Sequence, residues 1–195
     1  MANIFDGREE QSQVAIALLE GTRIIYINGG VDDQMAYFFN TTLLRLERED
    51  SNADIVVYIN SPGGSVTAGL AMIDTMNLIS CDVSTICVGM AASMGAMLLM
   101  SGQKGKRKIL PHSKVLIHQP LRSFGEAFMQ ATEIEIASNE IIKTRETLYS
   151  LIHDATGQDL DKIAQDCERD YTLNAKEAVD YGIVDEIITS HKVGR

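Results

Sequence analysis

The chain has 195 residues, 45% of them apolar, and carries a formal net charge of −10 with a pI near 4.8. That length and apolar content suffice for one sizeable core, and no proline- or serine-rich linker divides it, so a single domain over residues 1–195 is expected. The acidic balance excludes the broad positive field that nucleic-acid or anionic-membrane binding requires, and neither partner is expected.

In chain order, MANIFDGREE lacks the basic and apolar regions of a secretory signal. Glu9 to Glu20 reads as a helix and Arg23 to Asn28 as a strand. A helix opens at Asp32-Asp33, with Met35, Phe38, Phe39, Leu43 and Leu46 near helical spacing. The nearly continuous apolar run Asp54 to Asn60 predicts a strand buried on both faces, as in a parallel sheet covered by helices. The turn SPGGS, Ser61 to Ser65, leads into a helix ending near Ile79, and Val83 to Gly89 repeats the step as a strand.

The 21 residues from Val83 to Gln103 carry no charge, a length that can span a bilayer. Gly89, Ser93 and Gly95 interrupt the run, so a strand followed by a buried helix is expected instead. KGKRK, Lys104 to Lys108, reads as an exposed turn, and Lys114 to Pro120 as a strand stopped by its proline. From about Met129 to Ala155 a helix places Ile134, Ile141 and Leu148 one heptad apart, with Gly157 as its stop. At ~40 Å it exceeds what a domain of this size needs, so it is expected to project and pack on another subunit. A helix over Ala175 to Tyr181 and a strand over Ile183 to Ile188 close the chain. Cys81, Cys87 and Cys167 are odd in number and show no CxxC spacing. They read as buried thiols of a reducing compartment, which predicts a cytoplasmic location.

The chemistry is carried by a few short segments. In GMAASMGAM, Gly89 to Met97, Ser93 stands among small residues where a strand becomes a helix. There a tight turn lifts the hydroxyl out of the sheet and helix N-terminal amides can stabilise negative charge, as in a nucleophile elbow, although the residues read AxSxG. A small serine packed at a helix start is the plainer reading of the same pattern. The paired glycines of SPGGS leave backbone amides unobstructed, so the amides of Gly64 and Met94 are candidates for an oxyanion hole; an ordinary glycine turn is the alternative.

Among His112, His118, His153 and His191, His118 stands out as a general base because it ends an apolar strand, where sites of α/β sheets form. A structural histidine is the plainer reading. Spacing leaves the orienting acid open among Asp159, Asp161, Asp166 and Asp170.

YINSPGGS, TAGLAMIDTM, STICVGMAASMGAMLL, LPHSKVLIHQP, QATEIEI and LNAKEAVDYGIVDEI, in this order, closely resemble the proteolytic subunit family of the Clp protease from about Gly21 to Ile188. The resemblance implies an α/β, crotonase-like fold of repeated ββα units with a protruding handle helix in the region of residues 120–156, following an N-terminal segment over residues 1–20. It also implies seven-membered rings stacked into a chamber where unfolded proteins are hydrolysed. Ser93 would be the nucleophile, His118 its base and Asp170, in ERD, the orienting acid. Gly64 and Met94 would form the oxyanion hole, and Val66 and Leu121 would flank an extended substrate. No cofactor or metal is implied, and ATP is used by a separate hexameric AAA+ unfoldase.

Two regions depart from the family pattern. Only MANIF precedes GREEQSQ where the family has an apolar, proline-containing pore segment, which leaves gating and unfoldase coupling unassigned. Tyr58 and Leu78 match the family's apolar docking patch, but Val56 stands where an aromatic residue often sits, so altered docking is expected. Pro120 to Glu133 is longer and, with Phe124 and Phe128, bulkier than the family's glycine-rich connection. The expectation is ring stacking that favours a sister subunit. A weakly active subunit of a mixed complex is therefore the alternative function. A crotonase-fold enzyme acting on acyl-CoA is disfavoured by the acidic charge and by the SPGGS and AASMG strings.

Overall fold

A computed structural model describes residues 16–121 and 130–189. MANIF, the start of the predicted first helix, Phe124, Phe128 and His191 lie outside the described residues.

The chain begins with β1 (Ile16–Leu18) and β2 (Ile24–Asn28), followed by α1 (Asp33–Glu49), β3 (Ile55–Ser61) and α2 (Val66–Leu78). Then come β4 (Val83–Ala92), α3 (Met94–Met100), β5 (Arg107–Ile109) and β6 (Lys114–Ile117). The remainder is α4 (Ala131–Thr156), α5 (Leu160–Asp166), β7 (Tyr171–Asn174), α6 (Ala175–Tyr181) and β8 (Glu186–Ile187). The main sheet runs β1-β2-β3-β4-β5-β8, parallel from β2 onward. The predicted strand-helix alternation is thus present from β2 to β5.

The helix expected over Glu9 to Glu20 is corrected over its described end, because Ile16–Leu18 forms a strand antiparallel to β2. The free edge of β2 offers an unpaired hydrogen-bond ladder, and completing it outweighs the local helix preference of an alanine- and leucine-containing run. The expected turn KGKRK is also shorter. Arg107 and Lys108 belong to β5, and Arg107 is buried in a bond to Asp185 of 2.6 Å.

β3 is not buried on both faces. Ile55, Val57, Ile59 and Ser61 face the core, whereas Val56, Tyr58 and Asn60 are half-buried on the opposite face. The core that receives the first set contains Phe39, Leu43 and Leu46 of α1 and Met72 and Ile73 of α2. The other face stacks Tyr58 on Tyr26 at 6.1 Å and opens a groove past Val56, Ile86 and Leu110. α1 starts as predicted, with Asp32 accepting the Met35 amide at 2.8 Å, which satisfies an orphan N–H of its first turn.

β4 changes partner partway along. Thr85–Cys87 pairs with β5, whereas Met90–Ala92 pairs in parallel with β6. Opposite β3, Ile59 meets Cys87 but Ser61 meets Ala91, so β4 spends two extra residues between these pairs. Gly89, with φ 78°, lies within this bulge, and Ser113 pins it by accepting the Gly89 amide at 2.8 Å and donating to the Cys87 carbonyl at 3.2 Å. A bulge bends a strand and re-aims its end. Here it turns β4 toward the small β6–β7 layer.

The 26 residues of α4 span ~39 Å. Ile134 is exposed, Ile141 half-buried and Leu148 buried, so the predicted heptad faces the core only toward its C-terminal end. Gly157 caps it in the left-handed conformation, as expected. The uncharged run from Val83 becomes β4 and the seven-residue α3, and no helix among the described residues is long and apolar enough to cross a membrane.

Candidate active site

Ser93 joins β4 to α3 with φ 53° and ψ −122°, the only positive φ at a non-glycine residue among those described. Such a conformation costs about 1–3 kcal/mol and persists only where the surroundings enforce it. Its amide donates to the Leu116 carbonyl at 2.9 Å, and its carbonyl accepts from the Ala96 and Met97 amides at 2.9 and 3.1 Å. Ser93 occupies the N-cap position of α3, yet its hydroxyl makes no capping bond. Ser93 thus stands at a helix start, as the plainer reading also has it, with its hydroxyl left unspent on the helix.

The carbonyl and the following N–H of a trans peptide point in opposite directions. Since the Ser93 carbonyl faces into α3, the Met94 N–H faces out of the helix start. The same reasoning applies in SPGGS. Val31 donates to the Gly63 carbonyl at 2.8 Å, and the Ser65 amide donates to the Val31 carbonyl at 2.8 Å. The intervening Gly64 N–H therefore points away from Val31. Gly64 has φ 152°, and a Cβ there would lie 2.2 Å from the Val31 carbonyl oxygen. On Gly63 a Cβ would lie 2.6 Å from the Ser93 Cβ and 2.9 Å from the Met94 nitrogen. Only glycine lets this turn close on the Ser93 junction.

The third segment follows from strand register. Ala92 pairs with Leu116 on β6, so Ser93 and His118 emerge from adjacent strands at the same end. β6 and β7 are antiparallel with Ile117 opposite Tyr171, which brings Asp170 beside His118. The His118 Nδ1 to Asp170 Oδ1 distance is 3.4 Å, with the histidine side chain 17% exposed and the carboxylate 73% exposed. Gln119 steadies this junction by donating its amide to the Cys167 carbonyl at 2.8 Å and its side chain to the Glu168 carbonyl at 3.1 Å.

All seven residues singled out in the sequence line one cleft of about 390 Å³: Gly64, Val66, Ser93, Met94, His118, Leu121 and Asp170. The other aspartates and His153 lie outside this cleft. His153 Nδ1 meets the Gln158 carbonyl at 2.7 Å beyond the end of α4. Asp159 stands at the N-cap position of α5 without a side-chain capping bond, and Asp161 lies in the first turn of that helix. Asp166 accepts from Lys162 and from the Tyr181 hydroxyl. All three cysteines are free and buried, and burial pushes the Cys87 and Cys167 thiols up to about 12, which removes them as nucleophiles at neutral pH. Among the described residues, no group of three or more His, Cys, Asp or Glu side chains is placed to hold a metal ion.

The apolar half of the cleft was not identified from sequence. Met90, Met97, Leu116, Leu148 and Ile152 form it, the last two from one face of α4. Their i, i+4 spacing was readable, but the same spacing describes any helix that packs on a core. The arrangement combines a half-buried serine with an uncapped hydroxyl in a rigid turn, an imidazole backed by a carboxylate, two outward-facing amides and an apolar wall. Such a set suits acyl transfer. The family profile described as Clp protease matches residues 7–191 of the chain.

Proposed function

The chain belongs to the Clp protease family, and its function is proteolytic; we propose that it is a serine endopeptidase with Ser93 as nucleophile, His118 as general base and Asp170 as the orienting acid. Ser93 Oγ attacks the peptide carbonyl carbon while His118 accepts its proton. The oxyanion that forms accepts hydrogen bonds from the Gly64 and Met94 amides, an interaction whose donors are each worth ~10²- to 10³-fold in rate. The C–N bond then breaks as His118 returns the proton to the leaving amine, giving an acyl ester on Ser93. Water attacks the ester, its proton passes to His118, and collapse releases the acid product and restores the Ser93 hydroxyl. The sequence needs no metal and no bound cofactor.

Val66 and Leu121, both lining the cleft, flank the extended substrate, where pairing with peptide backbone supports cleavage of many sequences. The substrates are unfolded polypeptides, degraded by a single peptidase domain over residues 1–195, in the cytoplasm, inside stacked rings. The exposed half of α4 is the surface for ring contact. An ATP-dependent unfoldase feeds the chamber, docking on the less covered sheet face around Tyr58 and Val56 and on Leu78, which is exposed.

One observation carries this reading: the strained Ser93 turn and the uncapped hydroxyl lie in the same cleft as His118 and Asp170. A fluorophosphonate probe tests it. Labelling at Ser93 that is abolished in Ser93→Ala and weakened in His118→Ala is expected; assembled protein that takes up no label sinks the reading.

The exposure of Asp170 favours a second reading, in which this chain is weakly active alone and needs a sister subunit in a mixed complex. The bulky connection with Phe124 and Phe128 points the same way. Assembled mass and peptidase activity of the protein purified alone decide between them. A stable, fully active homo-tetradecamer rules out the second.

A further inference from the structure

β3 ends in Ser61, a fully buried polar residue beneath the cleft. Its hydroxyl donates to the Gly29 carbonyl at 2.7 Å and accepts the Gly63 amide at 3.1 Å. Its own carbonyl lies 2.9 Å from where a Cβ on Gly95 would sit, so it packs directly under the first turn of α3. Ser61 therefore touches both segments that supply the outward-facing amides.

The two bonds around Gly63 divide the work. Ser61 Oγ holds the peptide between Pro62 and Gly63, and Val31 N–H holds the peptide between Gly63 and Gly64. The two planes meet at the Gly63 α-carbon. Glycine has no side chain to restrict rotation there, and its φ of 90° is unstrained for it. Nothing local to Gly63 fixes the angle between the planes. The Val31 pairing, completed by the Ser65 amide's bond to the Val31 carbonyl, holds the Gly64 side of the turn, and the Ser61 bond holds the other side, so the aim of the Gly64 N–H is set by all three.

We propose that Ser61 is a positioning residue for the oxyanion-binding turn, acting through Gly63 on the Gly64 amide. This rests on the reading of Ser93 as the nucleophile. A buried hydroxyl that merely satisfied two backbone groups would affect stability when removed. A positioning hydroxyl also affects the transition state selectively, because an amide that wanders binds the developing oxyanion less well than the ground-state substrate notices.

The test uses the assembled protein and its Ser61→Ala and Ser61→Cys variants. It measures kcat and KM on a fluorogenic peptide, the rate of fluorophosphonate labelling at Ser93, and the thermal midpoint. The expected result for Ser61→Ala is a loss of about 10-fold in both kcat and labelling rate per folded molecule, with KM unchanged, since a donor is loosened and not removed. Ser61→Cys keeps a similar shape with a weaker acceptor and is expected to fall between the two. Should Ser61→Ala fail to fold, Ser61→Cys decides the question alone. Wild-type kcat and labelling rate in these variants overturn the proposal, as does a loss confined to KM or to the folded fraction. If the unsubstituted protein takes no label at Ser93, the peptidase reading fails and this inference falls with it; if it labels and the variants match it, only this inference fails.

Discussion

The two sides of the cleft are built to different standards. On one side, Ser93 is gripped by three backbone hydrogen bonds, and the SPGGS turn presses against it at distances only glycine allows. On the other side, Asp170 is 73% exposed and meets His118 at 3.4 Å. Backbone geometry dictated by strand register is rigid, whereas a surface carboxylate on a single contact competes with water. In the proposed reading, the Ser93 and amide side is built within one chain, and the Asp170 side is the natural place for an outside influence to act.

Substitutions can break or sharpen that contrast. The largest effect is expected from Ser93→Ala, with peptide hydrolysis reduced by about 10⁴-fold or more, as measured in a fluorogenic assay. Gly63→Ala is next. Its Cβ would force the turn away from Ser93, and a loss of about 10²- to 10³-fold is expected, equivalent to losing an oxyanion donor. Asp170→Asn should be milder, about 10²-fold, well short of the ~10⁴-fold seen when a buried triad acid is replaced. A loss as large as that of Ser93→Ala would show that the acid side is as firmly organised as the other.

The smallest effect on catalysis is expected from Asp185→Asn, remote from both sides. The Asp185 carboxylate binds the buried Arg107 side chain at 2.6 and 3.1 Å and accepts the Gly105 and Arg107 amides. Burial disfavours its charge, but the Arg107 bonds outweigh that and hold its pKa below the ordinary carboxylate value. Leaving Arg107 buried without its partner should cost about 3–5 kcal/mol of stability, with kcat per folded molecule unchanged. A depressed folded pKa means the stabilisation is complete above the unfolded value near 4 and disappears as pH falls through the folded one. Thermal midpoints of the two proteins should therefore converge below about pH 4.

Much of this could be read in advance, for physical reasons that also mark the limits. α1, α2 and α4 are long enough to show periodicity, and the turn residues of SPGGS and AASMG are chemically distinctive. β5 and β7 have three and four residues, too few for a pattern, and exist because a neighbouring strand supplies their hydrogen bonds. β1 was misread for the same reason: its partner is β2, and pairing is invisible to local preference. The face of β3 left half-covered carries Val56 and Tyr58, apolar enough in the sequence to resemble the covered one. Within the site, Ser93 stood out by its small-residue surroundings and His118 by its place at a strand end; spacing left four aspartates open, the family resemblance picked Asp170, and the β6–β7 register brings that residue beside His118. Ser61 was legible as part of a turn, but its hydroxyl's bond to the Gly29 carbonyl depends on where β2 ends beside β3.

The backbone angle at Ser93 carries one more consequence. At φ 53° and ψ −122° a side chain is a burden, and removing it altogether should relax the turn. Ser93→Gly is therefore expected to melt higher than Ser93→Ala, and higher than the unsubstituted protein if the turn keeps its shape. The chain would then be more durable without the residue proposed as its nucleophile than with it, so that stability and the proposed chemistry pull in opposite directions at this one position.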